Sequence, residues 1–149
     1  MKMKTLNVER TVSAPLKSVW QLVSDVGGYA KYAPNIDSSK VVSGKGAGLV
    51  RECASKEGRW NEVCTAWRDN ESYEFDIQTQ AEDYPFPFKT LRGKWSVESV
   101  NEGETTIYMK FDVDFKNKVV GWFIFPIMKI QFLKVCDRLL ENWETALKV

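Results

Sequence analysis

Three segments of this 149-residue chain alternate apolar and polar residues with a period of two. The apolar positions are Tyr73, Phe75 and Ile77 in the first segment, Leu91, Trp95 and Val97 in the second, and Ile107, Met109, Phe111, Val113 and Phe115 in the third. This alternation is typical of antiparallel strands with one apolar face and one solvated face. A sheet built from such strands needs another element to cover its apolar face.

The C-terminal segment predicts that covering element. From about Ile127 to Leu147, apolar residues recur at spacings of three and four: Met128, Phe132, Val135, Cys136, Leu139, Trp143 and Leu147. This spacing predicts one long amphipathic helix, about 30 Å long at 1.5 Å per residue. Pro126 either begins this helix or kinks it away from the apolar run Val119–Phe125.

The N-terminal third predicts a strand followed by a short helix. The strand covers Lys4–Ser13; Ser13 is the expected helix cap, and Pro15 lies near the first turn. The helix ends at a Gly-Gly pair, and Tyr29–Ala33 form one more turn before Pro34.

A hairpin is predicted in LVRECASKEGRWNEVCTAW, with Gly58-Arg59 in the turn. This register places Cys53 opposite Cys64 and Arg51 opposite Ala66, and it points Arg51, Cys53, Glu62 and Cys64 to one face. In all, we expect about six antiparallel strands in a single domain of residues 1–149.

Composition and charge indicate which partners, compartments and cofactors to expect. Lys and Arg total 21 against 20 Asp and Glu, so we expect no nucleic acid partner. No export signal opens the chain, and the apolar run Val119–Met128 is shorter than the roughly 20 residues of a spanning helix. We therefore expect a soluble cytoplasmic protein with three free thiols. Histidine is absent, which removes the usual general base and metal ligand, so neither a metal nor a cofactor is expected.

Several motifs resemble a known superfamily. VSAPLKSVWQLVSDVGGYAKYAPNI is similar to the start of START-like (Bet v 1-like, SRPBCC) proteins. FPFKTLRGKWSV and IYMKFDVDFKNKVVG resemble the polyketide cyclase/dehydrase and coenzyme Q-binding branches. The resemblance implies an α+β helix-grip fold: a curved antiparallel sheet wrapped around a long C-terminal helix, with one or two short helices after the first strand. It also implies a deep, largely apolar cavity.

The resemblance further implies a function and a site. The expected function is binding of a hydrophobic small molecule, such as a lipid, a quinone or a polyketide-like compound, as its carrier or presenter. Loops around Tyr29–Pro34 and Tyr84–Phe88 would frame the mouth. The expected ligand-binding residues are Tyr29, Tyr32, Arg51, Cys53, Glu62, Cys64, Tyr73, Phe75, Ile77, Leu91, Trp95, Met109, Phe111, Met128, Phe132 and Cys136.

Alternatives stay open at several of these positions. The apolar stripes fit a filled core as well as a cavity. Arg51 and Glu62 are either a polar anchor for the ligand or a surface ion pair in another register. Cys53 and Cys64 fit small apolar packing better than a strained disulfide.

Two further functions also stay open. An enzyme of the polyketide cyclase or dehydrase type would use Arg51, Glu62 and a tyrosine such as Tyr73 as catalytic candidates. The run Val119–Phe125 is a packed helix base, a gate of the cavity, or an exposed patch that contacts a protein partner or an anionic membrane.

Overall fold

The computed structural model of the protein describes residues 3–148, and it contains a single seven-stranded antiparallel sheet among them. The strands are β1 (Lys4–Val12), β2 (Ser38–Ser43), β3 (Val50–Ser55), β4 (Gly58–Arg68), β5 (Ser72–Ile77), β6 (Phe88–Asn101) and β7 (Glu104–Phe115). Their order across the sheet is β1-β7-β6-β5-β4-β3-β2. Consecutive hairpins therefore build most of the sheet, and β1 returns to pair with β7.

Three helical segments accompany the curved sheet. Helix α1 (Leu16–Val23) and a 3₁₀ helix (Val26–Lys31) lie between β1 and β2, and helix α2 (Lys118–Leu147) follows β7. Helix α1 packs on β6, β7 and α2, and the 3₁₀ helix packs mainly on β2. The arrangement is the predicted helix-grip fold.

Alternating side chains of the central strands form the core. Tyr73 and Phe75 on β5, Trp95 on β6 and Ile107 on β7 are buried, while their sequence neighbours are more exposed. The same cluster includes Val19 and Val23 of α1 and four residues of the C-terminal part of α2: Cys136, Leu139, Leu140 and Trp143. A continuous core therefore joins α1, the sheet and one end of α2.

The predicted hairpin exists, but its predicted register is wrong. Ser55 pairs with Gly58, Cys53 with Trp60, and Arg51 with Glu62, so the turn residues are Lys56 and Glu57. Gly58 directly follows the turn, where its φ is +152°. L side chains rarely adopt this value, whereas glycine tolerates it. The Ser55 hydroxyl donates to the Glu57 carboxylate at 2.8 Å and accepts from its backbone N–H at 3.2 Å, which supports this tighter turn.

Two expectations about the helices also need correction. Helix α2 begins at Lys118, with Asn117 as its cap, so Pro126 lies inside the helix and Val119–Phe125 belong to it. The exposed position of Pro126 leaves the carbonyl one turn earlier free to bond to water. Helix α1 has Pro15 rather than Ser13 at its cap position, with no capping side-chain hydrogen bond.

Candidate functional site

A cavity of about 370 Å³ lies between the apolar face of the sheet and α2. Its wall is aromatic and aliphatic for the most part, with a few polar side chains. The lining residues are Tyr29, Asn35, Ile36, Arg51, Trp60, Glu62, Ile77, Tyr84, Phe86, Pro87, Phe88, Leu91, Trp95, Phe111, Val113, Phe115, Ile124, Met128, Gln131, Phe132, Val135, Cys136 and Leu139. This size and lining are typical of small-molecule sites.

The opening of the cavity is marked by those lining residues that are also exposed to solvent. Asn35 precedes β2, Pro87 lies in the loop between β5 and β6, and Ile124 and Gln131 lie on α2. Gly121 brings the start of α2 close to the end of β7, because a Cβ at this position would lie 2.6 Å from the Phe115 ring. The first half of α2 therefore forms one rim of the opening.

An ion pair lies in the wall of this cavity. Arg51 on β3 and Glu62 on β4 are directly opposite each other in the sheet, and Arg51 is 0% exposed. One terminal nitrogen of Arg51 donates to the Glu62 carboxylate, and the other donates to the Val26 carbonyl at 3.2 Å. The second oxygen of Glu62 accepts from the Trp60 indole N–H at 2.8 Å. The pair is buried, so it is not a surface ion pair.

Aromatic rings enclose the guanidinium of Arg51. Its central carbon lies 4.6 Å from the ring centre of Tyr29 and 4.3 Å from that of Phe75, which are cation–π distances. Burial would lower the pKa of Arg51, but the adjacent Glu62 carboxylate outweighs this and holds the pKa above its usual value. The guanidinium therefore stays charged, and its charge is balanced by Glu62 within the cavity wall.

Two buried N–H donors of the cavity wall have no acceptor among residues 3–148. They are Nε of Arg51 and Nε1 of Trp95, two side chains that both line the cavity. Buried donors of this kind normally have a partner, because an unmade hydrogen bond costs roughly 1–3 kcal/mol. Both atoms are covered by neighbouring protein atoms, so they are an energetic cost of the buried wall and not contact points for a molecule in the cavity.

Ten of the sixteen residues expected at the ligand site line the cavity: Tyr29, Arg51, Glu62, Ile77, Leu91, Trp95, Phe111, Met128, Phe132 and Cys136. The other six, Tyr32, Cys53, Cys64, Tyr73, Phe75 and Met109, do not. Five of these six are buried and pack behind the wall instead of facing the cavity; Tyr32 is the exception. Alternation identified the inward face of each strand, but it does not tell how far along the strand the core is filled.

Tyr73 illustrates the difference between an inward residue and a site residue. Its ring stacks on Trp67 and on Trp95, with 5.3 Å between ring centres in each case. Its hydroxyl donates to the Val23 carbonyl at 2.7 Å, and burial raises its pKa above the usual value. This hydroxyl is thus committed to holding α1 on the sheet.

Tyr32 also has a structural position. It is partly buried against the core, and its carbonyl accepts from Asn142 on α2 at 2.8 Å. Of the two tyrosines expected at the mouth, Tyr29 alone lines the cavity, where burial raises its pKa well above the usual value. The segment Tyr84–Phe88 does contribute lining residues, as the resemblance implied.

The remaining lining residues were not identified individually from the sequence. Trp60 lies on the inward face of β4, so the alternation of that strand already pointed to it. Val113 and Phe115 continue the inward face of β7 toward the opening. Asn35, Ile124 and Gln131 carry no such signal, because only the approach of α2 to the loops places them at the rim.

All three cysteines are free and buried. Burial raises the pKa of Cys136, which lines the cavity, to about 12. Burial also raises the pKa of Cys53 and of Cys64. The thiols are therefore neutral near pH 7 and act as small apolar side chains.

Comparison with known proteins agrees with this architecture. Residues 3–148 match a family described as polyketide cyclase / dehydrase and lipid transport. The ribosome association toxin RatA of Vibrio cholerae is 23% identical over 145 residues, which are 97% of this chain and 92% of that protein.

Solved structures show the same fold at low sequence identity. The Zhui aromatase/cyclase of a Streptomyces species aligns with a TM-score of 0.79 and 14% identity, covering 98% of this chain and 94% of that one. A START superfamily protein from Mycobacterium smegmatis aligns with a TM-score of 0.73 and 18% identity, covering 99% and 98%. At this level of identity, the likeness establishes the fold and leaves the ligand open.

Proposed function

The chain belongs to the polyketide cyclase/dehydrase and lipid transport family, and we propose that it binds a hydrophobic small molecule between sheet and α2 as a carrier or presenter. The observation that carries the proposal is an apolar cavity with a single buried ion pair in its wall. Burial of the ligand's apolar surface would supply most of the affinity, at roughly 25 cal/mol per Å². The protein would act in the cytoplasm, where its thiols stay reduced.

The charge balance of the wall narrows the ligand class. Arg51 and Glu62 cancel each other, so a carboxylate ligand would leave a net negative charge in a buried site. A neutral molecule, such as a ketone, quinone, alcohol or ether, would instead leave this charge balance unchanged. The proposed ligand is therefore a neutral molecule with a large apolar part.

This ligand class is tested with two probes of equal chain length, 1-dodecanol and dodecanoate. Native mass spectrometry of protein purified from cells first reports whether a lipid or quinone is already bound. Titration of the emptied protein should then show tighter binding of the alcohol than of the acid. A clean apo mass together with no binding of either probe would overturn the proposal.

The substitution Glu62→Gln should invert this preference. It keeps the side-chain shape but leaves the Arg51 charge unbalanced, so the acid should bind at least roughly tenfold tighter relative to the alcohol than before. Glu52→Gln is the matched control, because Glu52 is paired with Arg59 and Lys40 at the surface and should leave the preference unchanged. An unchanged preference in Glu62→Gln would refute the role of the ion pair.

A second variant covers the case in which Glu62→Gln does not fold. Met128→Trp fills the cavity without changing any charge and should abolish binding of both probes. Ile127→Trp is its control, since Ile127 is the preceding residue on the helix and is exposed to solvent instead of lining the cavity. Equal binding by the two variants would mean that the probes do not occupy the cavity.

The second candidate function is catalysis of the polyketide cyclase or dehydrase type. It is favoured by the buried Arg51–Glu62 pair in the cavity wall, because a fixed charge beside a water-poor site polarises a ketone through space. Tyr73 is a weaker partner than expected, because its hydroxyl is bonded to the Val23 carbonyl. Turnover of a poly-β-ketone that is lost in Glu62→Gln and Arg51→Ala would support this candidate; binding without turnover would support the carrier.

A further inference from the structure

Helix α2 carries an apolar stripe on its solvent-facing side. We define the exposed patch as Val119, Trp122, Phe123, Ile127 and Ile130, which are 60–71% exposed. Their spacing of three, four, eight and eleven residues from Val119 places them on one side of the helix. Single exposed apolar residues are ordinary, but a contiguous stripe that includes an exposed tryptophan is typical of an interaction surface.

The charged residues of the segment that carries the exposed patch are all of one sign. Residues 116–136 contain four lysines, Lys116, Lys118, Lys129 and Lys134, and no aspartate or glutamate. The chain as a whole is nearly neutral, with a net charge of +1, so this segment concentrates positive charge. Apolar residues flanked by lysines are the pattern of helices that lie in the interface of an anionic membrane.

The exposed patch also adjoins the opening of the cavity. Ile124 and Gln131 are exposed rim residues of the cavity, and they lie on the same turns of α2 as Phe123 and Ile130. A surface bound to the patch would therefore cover or adjoin the opening. A hydrophobic ligand could then pass between that surface and the cavity with little contact with water.

We propose that the exposed patch docks the protein on an anionic lipid surface, with the cavity opening toward the lipid. The lysines pair with lipid headgroups while Trp122 and its neighbours enter the interface. Docking itself needs only the patch, whereas its use for ligand exchange rests on the function proposed above. Exchange at a docked membrane would make a membrane lipid or a membrane-dissolved molecule the favoured ligand.

The geometry favours lying on the membrane over crossing it. By length and composition alone, α2 could span a bilayer. However, Met128, Phe132 and Cys136 on the inner side of the helix line the cavity, and the helix continues into the core at Trp143. Spanning would remove these residues from the sheet, whereas docking leaves the fold intact.

Co-sedimentation with vesicles tests the docking. The full-length protein is mixed with vesicles of phosphatidylcholine alone or of phosphatidylcholine with phosphatidylserine, and its partition coefficient is measured. We expect binding to the anionic vesicles that weakens with added salt. Trp122→Asp should lower the partition coefficient by at least roughly tenfold. Val100→Asp is the matched control, because Val100 is 57% exposed on β6, outside the patch, and should have no effect.

The electrostatic part has its own matched variants. Replacing Lys118 and Lys129 with glutamine should lower binding to anionic vesicles by about fivefold for each lysine removed. The same change at Lys94 and Lys110, exposed partners on β6 and β7, should leave binding unchanged. Equal losses in the two pairs would mean that only net charge matters, which would contradict a specific docking surface.

Other outcomes overturn the proposal. No binding to anionic vesicles, or binding that Trp122→Asp does not weaken, excludes the patch as the lipid contact. A dimer in analytical ultracentrifugation that becomes a monomer in Trp122→Asp would assign the patch to a second copy of this chain. Binding of 1-dodecanol to the wild-type protein is measured in parallel without vesicles. If the wild-type protein does not bind 1-dodecanol, the ligand proposal alone is refuted, and the vesicle results decide the docking.

Discussion

The two halves of α2 differ in the side chains that their outer side presents to solvent. In the C-terminal half, residues 131–147, the inner side lines the cavity at its start and is buried in the core through Leu139, Leu140 and Trp143, and the outer side is charged. In the N-terminal half, residues 118–130, the inner side faces a cavity and the outer side is apolar and exposed. One continuous helix therefore combines a structural half with a half that has apolar residues on both sides.

The polar contacts of the helix follow the same division. Arg10 on β1 donates to Asp137 at 2.8 Å and to Glu144 at 3.1 Å, and Asn142 donates to the Tyr32 carbonyl. In the N-terminal half, the side-chain contacts are looser, such as Lys4 over the Phe125 ring at 5.6 Å. The comparison indicates that stability is concentrated in the C-terminal half of α2 and surface contacts in the N-terminal half, while both halves line the cavity.

Two tryptophans of the same helix test this division most strongly. Trp143 is 0% exposed, and Trp143→Ala should lower the free energy of unfolding by about 3–5 kcal/mol, because it leaves a large cavity in the core. Trp122 is 71% exposed, and Trp122→Ala should change the free energy of unfolding by less than about 0.5 kcal/mol. Urea unfolding of both variants measures the difference. Similar losses would mean that both halves support the fold equally.

Cys136 lies where the cavity meets the core and gives a test by pH. An unfolded thiol ionises near about pH 8.5, whereas the folded pKa of Cys136 is about 12. Between these values the unfolded state has lost a proton that the folded state keeps, so stability falls as pH rises, by about 1.4 kcal/mol per pH unit for this thiol. Its contribution is fully present below about pH 8.5.

The measurement is the slope of the unfolding free energy from neutral pH to about pH 10. Cys136→Ala should make this slope shallower, whatever it does to the stability at neutral pH. Cys53 and Cys64 still contribute in the variant, since burial raises the pKa of both. An identical slope in the wild type and the variant would contradict a neutral buried thiol at this junction.

Arg10 gives the smallest expected effect. Arg10→Gln removes both ion pairs to the C-terminal half and should cost about 0.5–1 kcal/mol, because Asp137 and Glu144 remain partly exposed to solvent. Lys4→Gln, on the same strand but facing the N-terminal half, should cost less than about 0.5 kcal/mol. Thermal unfolding of the two variants ranks them. A larger loss of stability for Lys4→Gln than for Arg10→Gln would contradict the assignment of stability to the C-terminal half of α2.

The strands and the main helix were predictable because their patterns are local. A period of two in β5, β6 and β7 and spacings of three and four after Ile127 identify buried faces without knowledge of neighbours. The hairpin register was not predictable in the same way. Its true pairing moves each partner by four residues, an even number, so Arg51 and Glu62 were placed on the correct face but opposite the wrong residues.

The candidate site was predictable in part. Strand alternation found Arg51, Glu62 and Trp95, because each is an inward residue of a strand near the cavity. It also selected Tyr73 and Met109, which are inward residues where the core is filled. The rim residues Asn35 and Gln131 come from segments that are far apart in the chain, and no local pattern connects them.

By itself, the sequence determined the strands, the main helix and the apolar character of the interior, because period and burial follow from local side-chain chemistry; the resemblance to a known superfamily added the helix-grip arrangement. Only the tertiary structure decided that Arg51 meets Glu62, that a cavity lies beside them, and that the first half of α2 presents its outer face to solvent. The physical reason is that pairing, cavities and exposure depend on how distant elements pack against one another.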